Sequence, residues 1–596
     1  MRIVHFLFAM CISTIALCQT ELFINVDMTE NDLVGEQVTI FNMLINQGVY
    51  GEYQFVQTDY SALQDDNGII TIGNENSIIQ TTFLFKTSQM EYTDVNSFEW
   101  VGSYYAYDTA VVHYAVVYLV RHEGRLIGNI NLDTLAYEIY DLTGGIQIIL
   151  EKNLEESEDG FCSVEDENSG PTLNKTDPCD VNSLRILFIA TTSAPEPDPE
   201  GKGRLVVLQL NDIYFRSGVY QNTAKFAAAE VLSLSQSGDR RKDLEDWYDL
   251  PSVDNLRYLH KADIVVFLTA KTYGAYNGEA LQIEADFDHA FCLVTSTTAA
   301  DSRYVGSHEI THLMGGRHNT DPTISVHKGY DFRTGVNFKH RITIMSVEKK
   351  EKPRIAHVSN PNVYFFNKAT GDATHKVAEI VDSRYYYMES LYPEPPLNIY
   401  AKINRVNPIV HCEQGRTLSV SAHCGKEPYT YQWQKSLNGI TWSNFSSGNT
   451  SSITFQMPTP YPLSSPFSSL LVRCIVTDDF SYSYIAQTVE YYFCDPFMHK
   501  TERSVNTMHN SVFEVYPNPT VEEITLKLNL KTIDLHSSIK IHSASGKLLF
   551  EGLAKEYNNG NNEFKLNLKR LNLAKGLYYV EFKSLDKSWY KTIIYN

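Results

Sequence analysis

The sequence predicts a multidomain protein in which an α/β domain, with a mixed twisted sheet and one motif-bearing helix, is flanked by a β-rich N-terminal domain and two C-terminal β-sandwich domains. Three observations carry this. The chain has 596 residues, several times an ordinary domain. From Ser183 onward short apolar strands alternate with segments of helical period, the pattern of an α/β layer arrangement, whereas the blocks before and after are rich in strand-type runs. Polar stretches punctuated by Gly and Pro separate these blocks.

Residues 1–18 read as an export signal. Arg2 supplies positive charge, Ile3 to Leu17 is mostly apolar, and Ala16-Leu17-Cys18 before Gln19 forms the cleavage site. The run is short for a membrane span and no other stretch reaches that length, so no stable membrane span is expected. Residues 19–180 form a β-rich domain and linker, with strand-type runs at Ala110 to Val120 and Ile130 to Tyr140. The linker, Leu154 to Asp180, is acidic and broken by Gly160, Gly170, Pro171 and Pro178, which opens it to proteolysis.

Residues 181–396 are the α/β domain. Leu184 to Ala190 and Asp263 to Leu268 are apolar strands, and Val206, Val207, Leu210, Ile213 and Tyr214 recur at helical spacing. From Val219 onward strand and helix are both open. Val377 to Met388 is a closing helix before Pro393-Glu-Pro-Pro396. Residues 397–499 are again β-type, 500–512 are a polar linker, and 513–596 alternate in short strands.

Charge narrows the partners. Asp and Glu number 71 against 50 Lys and Arg, a net charge of -21, which disfavours nucleic acid and anionic membrane surfaces. After removal of the signal, Cys162, Cys179, Cys292, Cys412, Cys424, Cys474 and Cys494 remain, and four of these seven fall within 412–494. Export permits disulfides there, and the odd number leaves one thiol over.

The chemistry is carried by His308-Glu309-Ile310-Thr311-His312 with Gly315 and His318. Histidines four residues apart on a helix share one face, with Glu309 beside them, which suits two zinc ligands and a base. Gly315 permits a left-handed turn that ends the helix, so the chain can swing His318 back as third ligand. Three imidazoles leave zinc's fourth position open, the arrangement of a catalytic rather than a structural ion. The bland reading is a core helix with incidental histidines. Five specified positions coincide by chance on the order of once in 10,000.

This motif, together with Ile342-Thr-Ile-Met345-Ser346, resembles the metzincin clan of zinc metallopeptidases. The resemblance implies one catalytic Zn2+ on His308, His312 and His318, Glu309 as general base, and Met345 beneath the ligands. His289 to Val294, Gly315-Gly-Arg-His318, and Ser359-Asn-Pro361 with Gly371 resemble the reprolysin or adamalysin branch. Asn319 stands where that branch usually carries Asp, and its bracing cysteines are absent; pappalysin-like enzymes are the nearest competing branch. The resemblance implies a protein or peptide substrate lying extended along the strand near Ala290 to Thr295.

The flanking blocks carry resemblances too. Gly128 to Leu132, Tyr137 to Tyr140 and Gly145 to Ile149 resemble reprolysin propeptides, implying a latent precursor. Gln432-Trp433-Gln434 and Leu471 to Val476 resemble an immunoglobulin-like domain, for which Cys424 to Cys474 with Cys412 to Cys494 is one of three connectivities. Val515-Tyr-Pro-Asn-Pro519, Ser545-Gly-Lys547 and Lys575-Gly-Leu-Tyr578 resemble the C-terminal sorting domain of the type IX secretion system of Bacteroidetes. That implies export through the periplasm to the surface or medium, with the secretion machinery as partner.

Cys162 is the candidate latency ligand. If Cys179 bonds Cys292, Cys162 is left free to offer a thiolate to the zinc; a Cys162 to Cys179 disulfide is the competing reading. The leading function is a secreted zinc endopeptidase. The alternative is a surface adhesin that works through its immunoglobulin-like domain and keeps a vestigial zinc site, against which Glu309 argues, because a structural ion needs no base.

Overall fold

The computed structural model describes residues 21–595, apart from 153–182, 392–398, 457–466, 494–512 and shorter loop segments such as 108–111, 335–338, 348–352, 405–408 and 412–414. It is a multidomain, β-rich chain with several sheets and few helices. The signal peptide, Cys162, Cys179, Cys412, Cys494 and the three expected linkers lie wholly or largely outside the described residues.

The N-terminal domain is one antiparallel sheet. Its strands are β1 (Phe23–Asn25), β2 (Tyr50–Thr58), β3 (Ile69–Ile72), β4 (Phe83–Asp94), β5 (Ser97–Tyr107), β6 (Val112–His122), β7 (Arg125–Leu132), β8 (Leu135–Asp141) and β9 (Gln147–Lys152), with helix α1 (Glu36–Ile45) before β2. They lie in the order β1-β2-β9-β8-β7-β6-β5-β4-β3. Glu123 and Gly124, both at positive φ (49° and 86°), form the two-residue turn joining β6 to β7, as the right-handed twist of a hairpin favours.

The near-continuous apolar run of β6 has a tertiary explanation. Successive side chains point to opposite faces. Ala115, Val117 and Leu119 join Trp100, Ile130 and Ile139 in the domain's own core. Tyr114, Val116, Tyr118 and Val120 face the other way, into a cluster that continues through the α/β domain. A sheet buried on both faces loses its polar alternation.

The α/β domain has strands β10 (Arg185–Thr191), β11 (Lys225–Leu232), β12 (Ile264–Thr269), β13 (Gly278–Ala280) and β14 (Phe291–Thr295) in the order β11-β10-β12-β14-β13. All pair in parallel except β13, antiparallel at one edge. The segment left open from Val219 therefore becomes strand β11. Helix α2 (Pro199–Arg216) starts at Asp198, whose carboxylate accepts from the Gly201 N–H at 2.9 Å, with Pro199 next. Such a cap is worth about 1 kcal/mol. Helices α3 (Arg240–Tyr248) and α4 (Pro251–His260) precede β12; α5 (Val305–Leu313) and α6 (Val377–Glu389) follow β14.

Two sheets of three and five strands form the next domain, with Trp433 fully buried opposite Cys474. The cysteines correct the sequence reading. Cys474 is a free buried thiol, so the Cys424 to Cys474 pair is not formed, although Cys424 is disulfide-bonded. Cys292, on β14, is also a free buried thiol, so the Cys179 to Cys292 bond, the condition under which Cys162 would be left over, is not formed. The last domain packs a three-stranded on a four-stranded sheet around Leu526, Ile541, Phe564 and Phe582. Among the described residues no helix is long and apolar enough to cross a membrane.

Candidate metal centre

Helix α5 carries His308 and His312 one turn apart. It ends because Gly315 adopts φ +102°, a conformation a side chain would strain. The terminal carbonyls of α5 are satisfied: His312 O accepts from the Gly315 N–H at 2.8 Å, and Leu313 O from the Ala285 N–H at 3.0 Å. The turn sends the chain back so that His318 faces the helix. The Nε2 atoms of His308, His312 and His318 stand 3.0 to 3.1 Å from one another.

The tautomers follow from the partners. His308 Nδ1 lies 2.7 Å from Ile344 O, and His312 Nδ1 lies 2.8 Å from Gly316 O. A carbonyl only accepts, so each Nδ1 carries the proton and each Nε2 presents its lone pair inward. Burial first, and the neighbouring imidazoles second, hold His308 and His312 well below the usual histidine value; burial brings His318 down to about 4. Neutral, converging donors are what a metal requires. Nitrogens about 2.0 to 2.1 Å from a tetrahedral ion stand roughly 3.3 Å apart, so the triad fits zinc with little adjustment.

Met345 follows Ile344, the residue whose carbonyl orients His308, and is fully buried. The strip at Gly329 passes so close to this turn that an added Cβ would lie 2.3 Å from the Met345 carbonyl carbon. Asn319 accepts a hydrogen bond from the same turn: the Val347 N–H donates to its Oδ1 at 2.9 Å. The amide oxygen supplies the acceptor that a carboxylate would.

Glu309 is buried beside His308, against β13. A Cβ built on Gly278 would fall 2.6 Å from Glu309 Oε1. Sequence reasoning missed Gly278, because a strand of three residues shows no period. It also placed the substrate along Ala290 to Thr295. That is corrected: β14 is flanked on both sides, by β12 and β13, and the sheet edge is β13. Cys292 is fully buried, and burial first, with the Glu309 charge second, raises its thiol well above the usual value. Cys162 lies outside the described residues.

Replacing His318 by Ala is expected to abolish stoichiometric divalent-metal binding without unfolding the protein. Metal analysis after dialysis reads this, and full occupancy would mean another residue is the third ligand.

Residues 514–596 match a family described as the secretion system C-terminal sorting domain. The protein is a type IX secretion substrate. It is therefore an exported protein of the Bacteroidetes type, delivered to the cell surface or the medium, and the secretion machinery is a partner. No curated protein matches the chain. Among solved structures it is similar to one described as a chaperone–substrate complex, at 13% identity and TM-score 0.30, covering 44% of this chain and 39% of that one. It is also similar to fibronectin(III)-like modules of Clostridium thermocellum CbhA, at 6% identity and TM-score 0.12, covering 33% and 94%. At these scores the likenesses carry no argument.

Proposed function

We propose that this secreted protein is a zinc metalloendopeptidase of the metzincin clan, nearest the reprolysin-like branch, made as a latent precursor. One observation carries the proposal: three imidazoles with inward-facing Nε2 lone pairs converge to about 3 Å, beside a buried carboxylate on the same helix. His308, His312 and His318 would hold the ion, oriented through the carbonyls of Ile344 and Gly316. Zinc, when bound, supplies a Lewis acid that polarises the scissile carbonyl and acidifies water. Glu309 takes the proton from the attacking water and returns it to the leaving amine. Strand β13 offers main-chain groups to an extended peptide.

The test is hydrolysis of casein or gelatin by purified protein. Activity abolished by a chelator and restored by zinc supports the reading; a zinc-loaded protein, with its linker cut, that cleaves no protein refutes it and leaves the adhesin.

Gly278→Ala is a finer check. What must give way is the Glu309 side chain, from Cγ to the carboxylate, in a buried site. A misplacement of this kind costs about 100-fold in rate. Turnover should fall far more than the modest drop in melting temperature that overpacking brings, while zinc content stays that of wild type. Unchanged turnover would show that Glu309 does not need the space.

A further inference from the structure

The N-terminal sheet meets the α/β domain through a seam that is apolar, charged and fully enclosed. Val116, Tyr118, Val120 and Ile127 belong to one core cluster with Leu205, Val206 and Leu208 of α2. Gly201 lets α2 approach β7 so closely that a Cβ there would lie 2.9 Å from the Ile127 side chain. Interfaces between separable domains are more polar than this.

The charges in the seam are shared across it. Lys152, 3% exposed, lies 2.8 Å from Glu138 of its own domain and 3.7 Å from Asp301 of the other, and also donates to Thr297 O. Lys202 of α2, 2% exposed, lies 3.4 Å from Glu196 and 3.8 Å from Glu138, and donates to Tyr140 OH at 2.6 Å. Burial opposes ionisation of Glu138, but Lys152 and Lys202 outweigh it and hold the carboxyl at about 2. Further along, Tyr118 OH donates to Asp212 at 2.7 Å, and Arg216 donates to Ser103 Oγ at 2.6 Å. Parting the domains would strand buried charges on both sides.

The seam also ends at the metal helix. Asn129 of β7 donates to Ala300 O, and Asn131 donates to Tyr304 OH at 3.2 Å. Tyr304 sits in the left-handed region, φ 57°, immediately before α5, and its carbonyl accepts from the His308 N–H at 2.8 Å. Residues 297–304, which launch the helix of His308, Glu309 and His312, are thus tied from behind by the N-terminal sheet.

From this we infer that the N-terminal domain, residues 21–152, is a permanent subunit of the working protein: it remains bound after the chain is cut between 153 and 182, and it keeps residues 297–304 in place. Its partner surface is α2 and the 297–304 segment of its own chain. The inference concerns binding and does not depend on the protease reading.

The experiment places a site-specific protease sequence within 153–182 of the full chain, cuts it, and applies gel filtration in 1 M salt, with amide hydrogen exchange followed on the same sample. Salt at roughly this strength screens exposed charges to about 3 Å, so an association held only by exposed charges does not survive it. The expected result is co-elution of the two fragments, with exchange across 297–308 as slow as in the uncut chain. Separation of the fragments overturns the proposal. So does co-elution with at least 10-fold faster exchange across 297–308, since the first domain would then be held elsewhere, for instance by the Ser469 contact to Thr87. Lys152→Met, combined with Asn129→Ala in the cut protein, should speed exchange of labelled N-terminal fragment about 10-fold or more; an unchanged exchange rate counts against the seam.

Discussion

Glu309→Gln is expected to leave zinc bound and to lower peptide hydrolysis by about 100- to 10,000-fold, the usual worth of a positioned acid-base group. The substitution keeps the shape of a side chain that is 2% exposed and packed against Gly278, so the helix and the three imidazoles stay where they are. What is lost is an acceptor for the proton of the attacking water. Zinc content should match wild type, and KM should change less than kcat, because the carboxylate acts on the reaction rather than on binding. Near-wild-type hydrolysis by this variant would sink the mechanism.

The other large effect concerns delivery. Deleting residues 513–596 is expected to abolish surface and medium accumulation in a host with type IX secretion, leaving folded protein in the periplasm. Residues 514–596 are the matched sorting domain. They close a core of their own, in which Ile524, Leu526, Ile539, Phe564 and Val580 pack together, so their loss exposes no other domain's interior. Metal binding by the truncated protein, measured after periplasmic release, should equal that of the full chain. Unchanged export, or a truncated product that arrives unfolded, would mean the last domain does more or less than carry an address.

Much of the centre was legible in the chain because it is local. Helical periodicity puts His308 and His312 on one face, and the need for φ +102° at residue 315 is announced by its glycine. His318 is only three residues further on. By contrast, Gly278 reaches Glu309 from a strand 31 positions away in sequence, and the Ile344 and Gly316 carbonyls that orient the imidazoles are backbone atoms, which any residue type supplies. No side-chain pattern could have singled them out. The edge strand was misplaced for a related reason: His289 to Val294 looks like an accessible strand until β13 folds onto it.

Read alone, the sequence brought His308, Glu309, His312 and His318 together as the candidate ligand set and base and carried the exported destination, since each is written in residue types at short, fixed spacings. Only the tertiary structure decided that Cys292 and Cys474 stay unpaired, that β13 forms the sheet edge beside β14, and how the first domain relates to the rest. Disulfides need Cβ atoms within a few ångströms of each other, and cysteine counting does not report distance. Cys292 and Cys474 are instead buried in apolar strands. The apolar residues of β6 predict a strand, but which of its two faces meets another domain is a matter of long-range packing. Tyr118 finding Asp212, 94 positions later, settles it.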